Sequence, residues 1–365
     1  MNILFVSNLS GNLSVGPSYS VPAQIKAQSE LDNVFWINTS DRFRDEWKEI
    51  GVPYISGKKW KKITLKEVAA RFAVPDFVFF EGCYNYPFMG LAGELQKQGI
   101  PYAIVPRSQL TTGALKNKSL KKRVMNSLYF NKFIGGARAI QYLTENEAAD
   151  SSKWKAEGVI IPNGIDQREY KEKTPHPDGK IEIVYIGRID IYQKGMDLLI
   201  NALSQISDYL EERHVTVELY GQPTEGDLEK LNTMISDRGI QDLVHINKPV
   251  FGEEKFSVLE RADLFIMTSR FEGLPMGLIE ALSFSCPCLV TDGTNLAQEI
   301  RDHNAGWVLS SEPSIMAKDI ERVISDLGSC YGDRSRGAYE LSKSYMWKDI
   351  ARITHEMCER LIRNS

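Results

Sequence analysis

The segment DLFIMTSRFEGLPMGLIEAL, Asp263–Leu282, runs from an apolar strand-like stretch through a Gly- and Pro-containing loop into a second apolar stretch. Proline is favoured in the first turn of a helix and excluded from its middle. The sequence therefore predicts a strand end and loop over Ser269–Leu274 and a helix that starts near Pro275. Glu272 then lies in the loop and Glu280 lies more than one turn inside the helix. Both can face one cleft, with free N–H groups of the helix start between them.

Similar apolar runs recur along the whole chain, separated by segments of helix length. In the first half they are NILFVS, NVFWIN, FVFFEG, YAIVPR, AIQYLT and GVIIPN, and in the second IEIVYIG, VTVELYG, LVHIN, DLFIMTS, CPCLVTD and GWVLS. Continuous apolar strands that alternate with helices are typical of parallel α/β sheets. Two such series predict two doubly wound, Rossmann-like domains, with ligands bound at the carboxyl ends of the strands.

The domain boundaries are predicted from composition. A chain of 365 residues exceeds what one core comfortably supports. The segment Pro162–Lys180 is rich in Pro, Gly and charge and is typical of a linker. We predict a first domain over 1–163, a second over 164–344 and a C-terminal helix over 345–365. In that helix the apolar residues fall at helical spacing, namely Trp347, Ile350, Ile353, Met357 and Leu361.

The composition, 42% hydrophobic and 25% charged, indicates a folded, soluble protein. No apolar run reaches the length of a membrane span, and the N-terminal residues lack the basic leader of a signal peptide. Five cysteines without a Cys-x-x-Cys motif predict reduced thiols in a cytoplasm. The five histidines form no His-x-x-x-His pair, so we expect no zinc site, and we expect no nucleic-acid partner.

Two cations follow the first strand of the second series, in YIGRIDIYQKGMDLL, Tyr185–Leu199. If the strand ends at Gly187, then Arg188 and Lys194 can reach one point above its end. Two fixed cations suit a diphosphate, whose charge grows as it leaves. We expect both side chains to face solvent. The alternative is a solvated surface pair, the usual fate of Lys and Arg.

Two further features each have a functional and a structural interpretation. Glu280 lies among apolar residues, where a carboxylate is costly unless it has a partner such as the hydroxyls of a ribose. The alternative is a core helix with incidental glutamates. Near the N-terminus, Gly11 and Gly16 flank a loop before a helix-like segment, a generic anion site or only a tight turn.

The sequences YIGRIDIYQKG and KPVFGEEKFSVLERADLFIMTSRFEGLPMGLIEAL, with the Trp-bearing C-terminal helix, resemble glycosyltransferase family 4. Members of this family are retaining, nucleotide-sugar-dependent enzymes of the GT-B fold, and many build bacterial surface polysaccharides. The resemblance is specific over residues 160–310 and looser before them. It implies two domains that face a central cleft and a C-terminal helix that crosses back to the first domain.

The resemblance also implies roles for individual residues. Arg188 and Lys194 would hold the donor diphosphate, Glu272 would contact the transferred sugar, and Glu280 would bind the ribose hydroxyls. Arg188, Lys194 and Glu272 are then the catalytic candidates. The complete donor site would comprise Gly16, Arg188, Lys194, Pro249, Val250, Glu272, Gly273, Leu274, Met276, Gly277, Leu278 and Glu280. The position of Pro275 is often Gly in relatives, and proline removes one N–H donor there.

The acceptor side departs most from the family pattern. Where many relatives have His or Arg followed by Gly, this chain has Arg107 and then Ser108. Arg107 would bind an acceptor phosphate, or it would cap a strand end. Tyr84 is the third acceptor candidate.

The activity implied by the resemblance is transfer of a sugar, with retention, from a nucleoside-diphosphate sugar to a hydroxyl of a glycan or lipid-linked glycan. A UDP-sugar is favoured. No Asp-x-Asp motif is present, so we expect no metal and no cofactor beyond the nucleotide-sugar co-substrate. The alternative is a non-catalytic GT-B partner subunit. A nicotinamide oxidoreductase would need a dinucleotide fingerprint that the chain lacks, and a GT-B epimerase or phosphorylase is a remote alternative.

Charge is distributed unevenly between the two halves. Residues 1–165 hold 21 Lys and Arg against 14 Asp and Glu, a net charge of +7, and the remainder holds 23 against 34, a net charge of −11. The basic residues concentrate in Gly57–Lys66 and Leu115–Phe133. In the latter, apolar residues recur near helical spacing, and a basic amphipathic segment of this kind can lie on an anionic membrane surface. Because many members of the family that the chain resembles build polysaccharides on lipid-linked acceptors, the resemblance implies docking of the first domain on such a surface. The alternative is an ordinary helix with a solvated basic face in a cytoplasmic protein.

Overall fold

In the computed structural model, the structure describes residues 1–364 except 13–15, 43, 58–62, 113–129, 152–153, 155, 167 and 175–178. The chain divides into two compact units. The first comprises Met1–Gly164 and Trp347–Ser365, and the second comprises Ile165–Met346. The changes of unit therefore lie one and two residues from the boundaries at 163 and 344 that composition suggested.

The first unit is built on a seven-stranded parallel sheet in the order β3-β2-β1-β4-β5-β6-β7. The strands are β1 (Asn2–Ser7), β2 (Asn33–Asn38), β3 (Tyr54–Ser56), β4 (Phe77–Glu81), β5 (Tyr102–Val105), β6 (Ala139–Tyr142) and β7 (Glu157–Ile160). β1 is an inner strand, with Leu4 opposite Phe35 on one side and Val78 on the other. Its inner residues, 3–6, are apolar and buried, as expected where helices cover both faces of a doubly wound sheet.

The helices of the first unit are α1 (Pro17–Gln28), α2 (Leu65–Arg71), α3 (Phe88–Gln98), α4 (Asn131–Gly135), α5 (Glu145–Asp150) and the C-terminal α13 (Trp347–Arg363). The predicted strands of this half are all present. β3 was not predicted, because it is a three-residue edge strand whose side chains are only partly buried and leave little apolar pattern.

The second unit is built on a six-stranded parallel sheet in the order β10-β9-β8-β11-β12-β13. The strands are β8 (Ile181–Ile186), β9 (Val215–Tyr220), β10 (Val244–Asn247), β11 (Leu264–Met267), β12 (Cys288–Thr291) and β13 (Gly306–Leu309). The helices are α6 (Met196–Leu203), α7 (Ser207–Glu212), α8 (Asp227–Asp237), α9 (Gly252–Arg261), α10 (Met276–Ser283), α11 (Ala297–Asp302) and α12 (Pro313–Ser342). All six strands predicted for this half are present.

The C-terminal helix α13 belongs to the first unit, as expected for a helix that crosses back to the first domain. Trp347 packs so closely on the chain before the unit boundary that a Cβ at Gly164 would lie 2.5 Å from its ring. His355 of α13 approaches the buried carboxylate of Asp32 at 3.0 Å. Of the apolar residues at helical spacing in α13, Ile353 is exposed, because the buried face of the helix includes Ala351 and Thr354 instead.

Each sheet has a topological switch point, where the chain order reverses between neighbouring strands. In the second unit this is the boundary between β8 and β11, since β9 and β10 lie to one side and β12 and β13 to the other. Ligands of open α/β sheets bind outside the carboxyl ends of the strands at this point. A ligand site is therefore expected at the loops after β8 and β11.

Candidate functional site

The loop after β8 carries both predicted cations. The hydroxyl of Tyr185, buried at the end of β8, donates to the carbonyl of Arg188 at 2.7 Å and fixes the start of the loop. Burial, together with the nearby Glu272 carboxylate, raises the pKa of Tyr185 well above its ordinary value, so the hydroxyl remains a donor. The loop closes at Gly195, whose φ is +64°. A Cβ there would lie 2.1 Å from the carbonyl oxygen of Thr268, so only glycine allows the two loops to approach.

The loop after β11 carries Glu272 and is fixed from both ends. The hydroxyl of Thr268 donates to the carbonyl oxygens of Lys194 and Gly195, both at 3.2 Å. The side-chain amide of Asn295 donates to the carbonyls of Glu272 and Gly273. Ser269 donates its hydroxyl to Oε1 of Glu272 at 2.6 Å. The loops after β8 and β11 are thus one connected structure.

Lys194 and Glu272 form an ion pair inside this structure, from Nζ to Oε1. Their side chains are only 12% and 7% exposed. This corrects the prediction that Lys194 faces solvent. The reason is that Gly195 lets the loop after β8 pack closely against Thr268, which places Lys194 next to the loop after β11.

Arg188 does face solvent, as predicted, with 45% of its side chain exposed. Its guanidinium lies 3.3 Å from Asp190 and donates to the side chain of Gln193. Such an exposed pair is weak. Arg188 is therefore available to an anion, whereas Lys194 must first exchange its partner.

The helix α10 begins where the sequence predicted, with Pro275 as its N-cap residue. A Cβ at Gly277 would lie 2.5 Å from the carbonyl oxygen of Ile186, so glycine lets the helix start press against β8. Among the described residues, the N–H groups of Met276 and Gly277 donate to no protein acceptor. The N–H of Leu278 is different, because it donates to Pro275 at 3.1 Å. The side chains of Leu274 and Leu278 are buried, so they present only backbone to a ligand.

Glu280 lies inside α10, more than one turn from its start, and it has a partner that the sequence reasoning missed. Lys255 of α9 donates from Nζ to Oε1 of Glu280 at 2.6 Å, and the two side chains are 13% and 21% exposed. The signal was present in the sequence, since a carboxylate among apolar residues needs a compensating charge. The partner was not identifiable, because 25 residues separate the two positions.

Pro249 and Val250 lie between the carboxyl end of β10 and the start of α9. Val250 is buried and Pro249 is half-buried. The predicted donor residues of the second unit therefore occupy the carboxyl ends of β8, β10 and β11, together with the helix starts that follow. This is the edge of the sheet on which ligands are expected.

In the first unit, Gly16 is the N-cap residue of α1 and adopts an ordinary helical conformation. No atom of the described residues lies within 4 Å of a Cβ added there, so contacts with that part of the chain do not require glycine at this position. The loop before it, residues 13–15, lies outside the described residues.

Arg107 is buried at the carboxyl end of β5 and holds several elements together. Its Nε donates to Oε2 of Glu81 at 2.8 Å, and its other N–H groups reach Ser20 at 3.1 Å, Asn163 at 3.1 Å and Gln24 at 3.3 Å. Burial raises the pKa of Glu81, and the Arg107 guanidinium opposes that shift. Of the two roles predicted for Arg107, this geometry favours the structural one, because an acceptor phosphate would have to displace these partners.

Ser108 and Tyr84 also lie at this edge of the first sheet. Arg107 and Ser108 both have positive φ, +49° and +65°. The N–H of Ser108 donates to Oε1 of Glu147, a buried carboxylate that also accepts from the N–H of Leu143 at 2.8 Å. Burial raises the pKa of Glu147, although these two N–H groups oppose the shift. Tyr84 packs edge-on against Phe130 at 5.2 Å, so its ring contributes to the core of the unit.

The basic stretches are only partly covered by the structure. Residues 58–62 and 113–129 lie outside the described residues, so most of the predicted membrane-binding helix is not described. Of its last residues, 130–133, Phe133 is buried in α4. In the described part of the chain, no helix is long and apolar enough to cross a membrane. Nor does that part bring together three or more His, Cys, Asp or Glu side chains as a metal site.

Comparison with known proteins supports the resemblance found in the sequence. Residues 166–335 match the family described as Glycosyl transferases group 1. The chain is 26% identical over 224 residues to one subunit of the phosphatidylinositol N-acetylglucosaminyltransferase of Arabidopsis thaliana, covering 60% of this chain and 48% of that protein. It is 25% identical over 180 residues to the D-inositol 3-phosphate glycosyltransferase of an Arthrobacter species, covering 49% of this chain and 42% of the relative. The chain thus spans less than half the length of each of these curated relatives.

Solved structures extend the likeness to the whole fold. The crystal structure of Anabaena HepE in complex with UDP and glucose matches with a TM-score of 0.71, over 99% of this chain and 100% of HepE, at 14% identity. The two doubly wound units and the returning C-terminal helix are those of the GT-B fold, and the predicted fold class is confirmed.

Proposed function

Because residues 166–335 match the glycosyl transferases group 1, we propose that this chain transfers a sugar from a nucleoside-diphosphate sugar to a hydroxyl of a glycan or lipid-linked glycan, with retention at the anomeric carbon. UDP-sugars are the favoured donors. HepE, which shares the fold, was crystallised with UDP and glucose, and this supports the choice of nucleotide.

The observation that carries the proposal is the convergence of charge at the switch point of the second sheet. The buried Lys194–Glu272 pair, the exposed Arg188 and the open N–H groups at the start of α10 all lie at the carboxyl ends of β8 and β11. Cations and helix-start N–H groups are what a diphosphate requires. A carboxylate beside them can face the sugar.

In the proposed reaction, Arg188 and Lys194 neutralise the diphosphate as the bond to the anomeric carbon breaks. Positive charge develops on the sugar, and the Glu272 carboxylate stabilises it. The acceptor hydroxyl attacks the same face that the diphosphate leaves, and its proton passes to the leaving phosphate oxygen. Two protein cations would then perform the neutralisation that a divalent metal provides in other enzymes.

The direct test is incubation with a panel of UDP-, GDP- and ADP-sugars, followed by an assay for released nucleoside diphosphate. At a donor concentration that limits the rate, Lys194→Met should abolish the release of nucleoside diphosphate. Lys171→Met is the matched control, because Lys171 forms an exposed pair with Glu260 in the same unit. Addition of a chelator should leave the rate unchanged; a strict metal requirement would contradict the proposed chemistry.

A non-catalytic partner subunit remains the second candidate, because the Arabidopsis relative is named as one subunit of a transferase. If the chain is such a subunit, the isolated chain should not turn over any donor. A nucleotide that binds it could still raise its melting temperature by mass action. Release of nucleoside diphosphate by the purified chain would remove it.

The lipid-linked acceptor would place the protein at a membrane surface. We propose that the basic stretches of the first unit provide peripheral attachment, with each cation near anionic headgroups adding about 1 kcal/mol. Co-sedimentation with anionic vesicles should fall as salt rises. Replacing Lys118, Lys121, Lys122 and Arg123 together by Ser should remove it.

A further inference from the structure

Two large aromatic side chains are exposed beside the Lys194–Glu272 pair. Tyr192 is 68% exposed and Phe271 is 53% exposed. Tyr192 precedes Lys194 by two residues and Phe271 immediately precedes Glu272, so each aromatic lies on one of the two loops that build the site. Their ring centroids are 6.5 Å apart and the ring planes are inclined at 59°. We refer to them as the Tyr192–Phe271 pair.

The backbone that carries the Tyr192–Phe271 pair is fixed by Arg270 and Gln193. The N–H of Arg270 donates to the carbonyl of Gln193 at 2.9 Å, and its guanidinium donates to the carbonyl of Tyr192 at 2.8 Å. The side-chain amide of Gln193 reaches the carbonyl of Phe271 at 3.4 Å. These hydrogen bonds join the backbone of the two loops at the positions that carry the aromatic residues.

Arg270 also supports the ring of Tyr192. Its guanidinium makes two 2.7 Å contacts with the Asp197 carboxylate and lies 4.7 Å from the centroid of the Tyr192 ring. Hydrogen bonding to Asp197 raises the pKa of Arg270 further, so the cation is permanent. One face of the tyrosine is thus covered, while most of the side chain remains open to a ligand.

Single exposed aromatic residues are common and need no explanation, but this pair combines exposure with a hydrogen-bonded backbone and a position next to Lys194 and Glu272 in the chain. Neither side chain belongs to the buried core of its unit. A pyranose ring has an apolar face of C–H bonds and a rim of hydroxyls. The C–H face complements the negative face of an aromatic ring, and the hydroxyls would find Gln193 and Arg270 close by.

We propose that the Tyr192–Phe271 pair is a binding platform for a hexopyranose ring. The ring belongs either to the acceptor glycan or to the donor sugar, and the chemistry of recognition is the same. Its place beside the site of transfer rests on the proposed function, but binding of a sugar ring by the platform does not require turnover.

The test uses the full chain, with Tyr192→Ala, Phe271→Ala and the double variant. Tyr170→Ala is the control, because Tyr170 is also an exposed aromatic of the second unit but packs on Tyr339 at 5.1 Å. Tyr192→Phe and Phe271→Tyr keep both rings and should retain binding. Binding of the methyl α- and β-glycosides of glucose, mannose and N-acetylglucosamine is measured by saturation-transfer NMR. Binding of UDP, UDP-glucose and UDP-N-acetylglucosamine is measured by calorimetry.

The expected result is a loss on the order of tenfold in affinity for at least one sugar-bearing probe in each alanine variant, with UDP affinity unchanged. Loss confined to the glycosides identifies the acceptor ring, and loss confined to the UDP-sugars identifies the donor ring. Unchanged affinities, absence of sugar-dependent binding in the parent chain, or equal loss of UDP itself would each overturn the proposal. Platform-dependent glycoside binding without nucleotide turnover would overturn only the proposed function.

Discussion

The ammonium of Lys194 and the carboxylate of Glu272 neutralise each other across the two loops at the switch point of the second sheet. The family resemblance assigns these two groups to different parts of one donor molecule, the diphosphate and the sugar. In the structure each is the charged partner of the other. In the proposed reaction, the donor diphosphate would bind Lys194 in place of Glu272, and the Glu272 carboxylate would then be able to contact the sugar.

Breaking this pair should destabilise the second unit. Within the described part of the chain, Lys194→Met leaves Glu272 with the Ser269 hydroxyl as its one side-chain partner, at a position that is 7% exposed. Removal of one member of a buried pair costs about 3 kcal/mol. Chemical denaturation should record that loss, and Lys194→Met combined with Glu272→Gln should recover more than half of it.

The matched control is the exposed Lys171–Glu260 pair, with side chains that are 75% and 58% exposed. Lys171→Met should change the free energy of unfolding by less than about 1 kcal/mol. Equal effects of Lys171→Met and Lys194→Met would mean that burial of the Lys194–Glu272 pair has no energetic consequence.

Arg188→Ala should lower turnover without lowering stability. Its side chain is 45% exposed and its partners are weak, so Arg188→Ala should leave the unfolding transition in place. Turnover should fall by on the order of 10²–10³, the usual scale for losing one group that stabilises developing charge. Normal turnover in Arg188→Ala would remove it from the diphosphate site.

Substitution of Glu280 and substitution of Lys255 should both change KM for the donor. A bond to a ribose hydroxyl is present in both the ground and the transition state, so Glu280→Gln should raise KM for the donor while kcat changes little. Lys255→Met should do the same, because it leaves Glu280 without its charged partner, and Lys255→Arg should restore much of the affinity. Glu272→Gln should instead lower kcat, and a reversal of the two patterns would exchange the roles of the two glutamates.

The sequence was sufficient for those parts of the site that depend on local chemistry. Apolar runs located the strands, and Pro275 located the start of α10 because proline restricts its own backbone. The contacts made by Lys255 and Asn295 were not predictable, since they join residues 25 and 22–23 positions apart through the packing of separate elements. The burial of Lys194 was not predicted for the same reason. It follows from the close approach at Gly195, which appears only when the two loops are assembled.

Two buried carboxyls should make the first unit less stable as pH rises. Burial raises the folded-state pKa of Glu81 and of Glu147 above the ordinary value. Between about pH 4.3 and the raised values, the folded state binds more protons than the unfolded state, so the free energy of unfolding falls with increasing pH. Five of the six tryptophans lie in the first unit, so fluorescence-detected denaturation reports on it. Glu147→Gln should flatten the slope, whereas a parental stability that rises over this window would contradict the assignment.

The backbone at Ser108 adopts a conformation that favours glycine. Its φ of +65° lies in the left-handed region, where a Cβ costs roughly 1–2 kcal/mol and glycine is tolerated without strain. Glycine also gains freedom in the unfolded chain, which offsets part of the benefit by about 0.4–1 kcal/mol. Ser108→Gly should therefore stabilise the first unit by roughly 0.5 kcal/mol, measured by the same fluorescence-detected denaturation. Ser108→Val should destabilise it by more than about 1 kcal/mol, because a β-branched residue fits this conformation worst, and Ser108→Ala should stay close to the parent. If Ser108→Gly were destabilising while Ser108→Ala was neutral, the backbone at Ser108 would not be left-handed in solution.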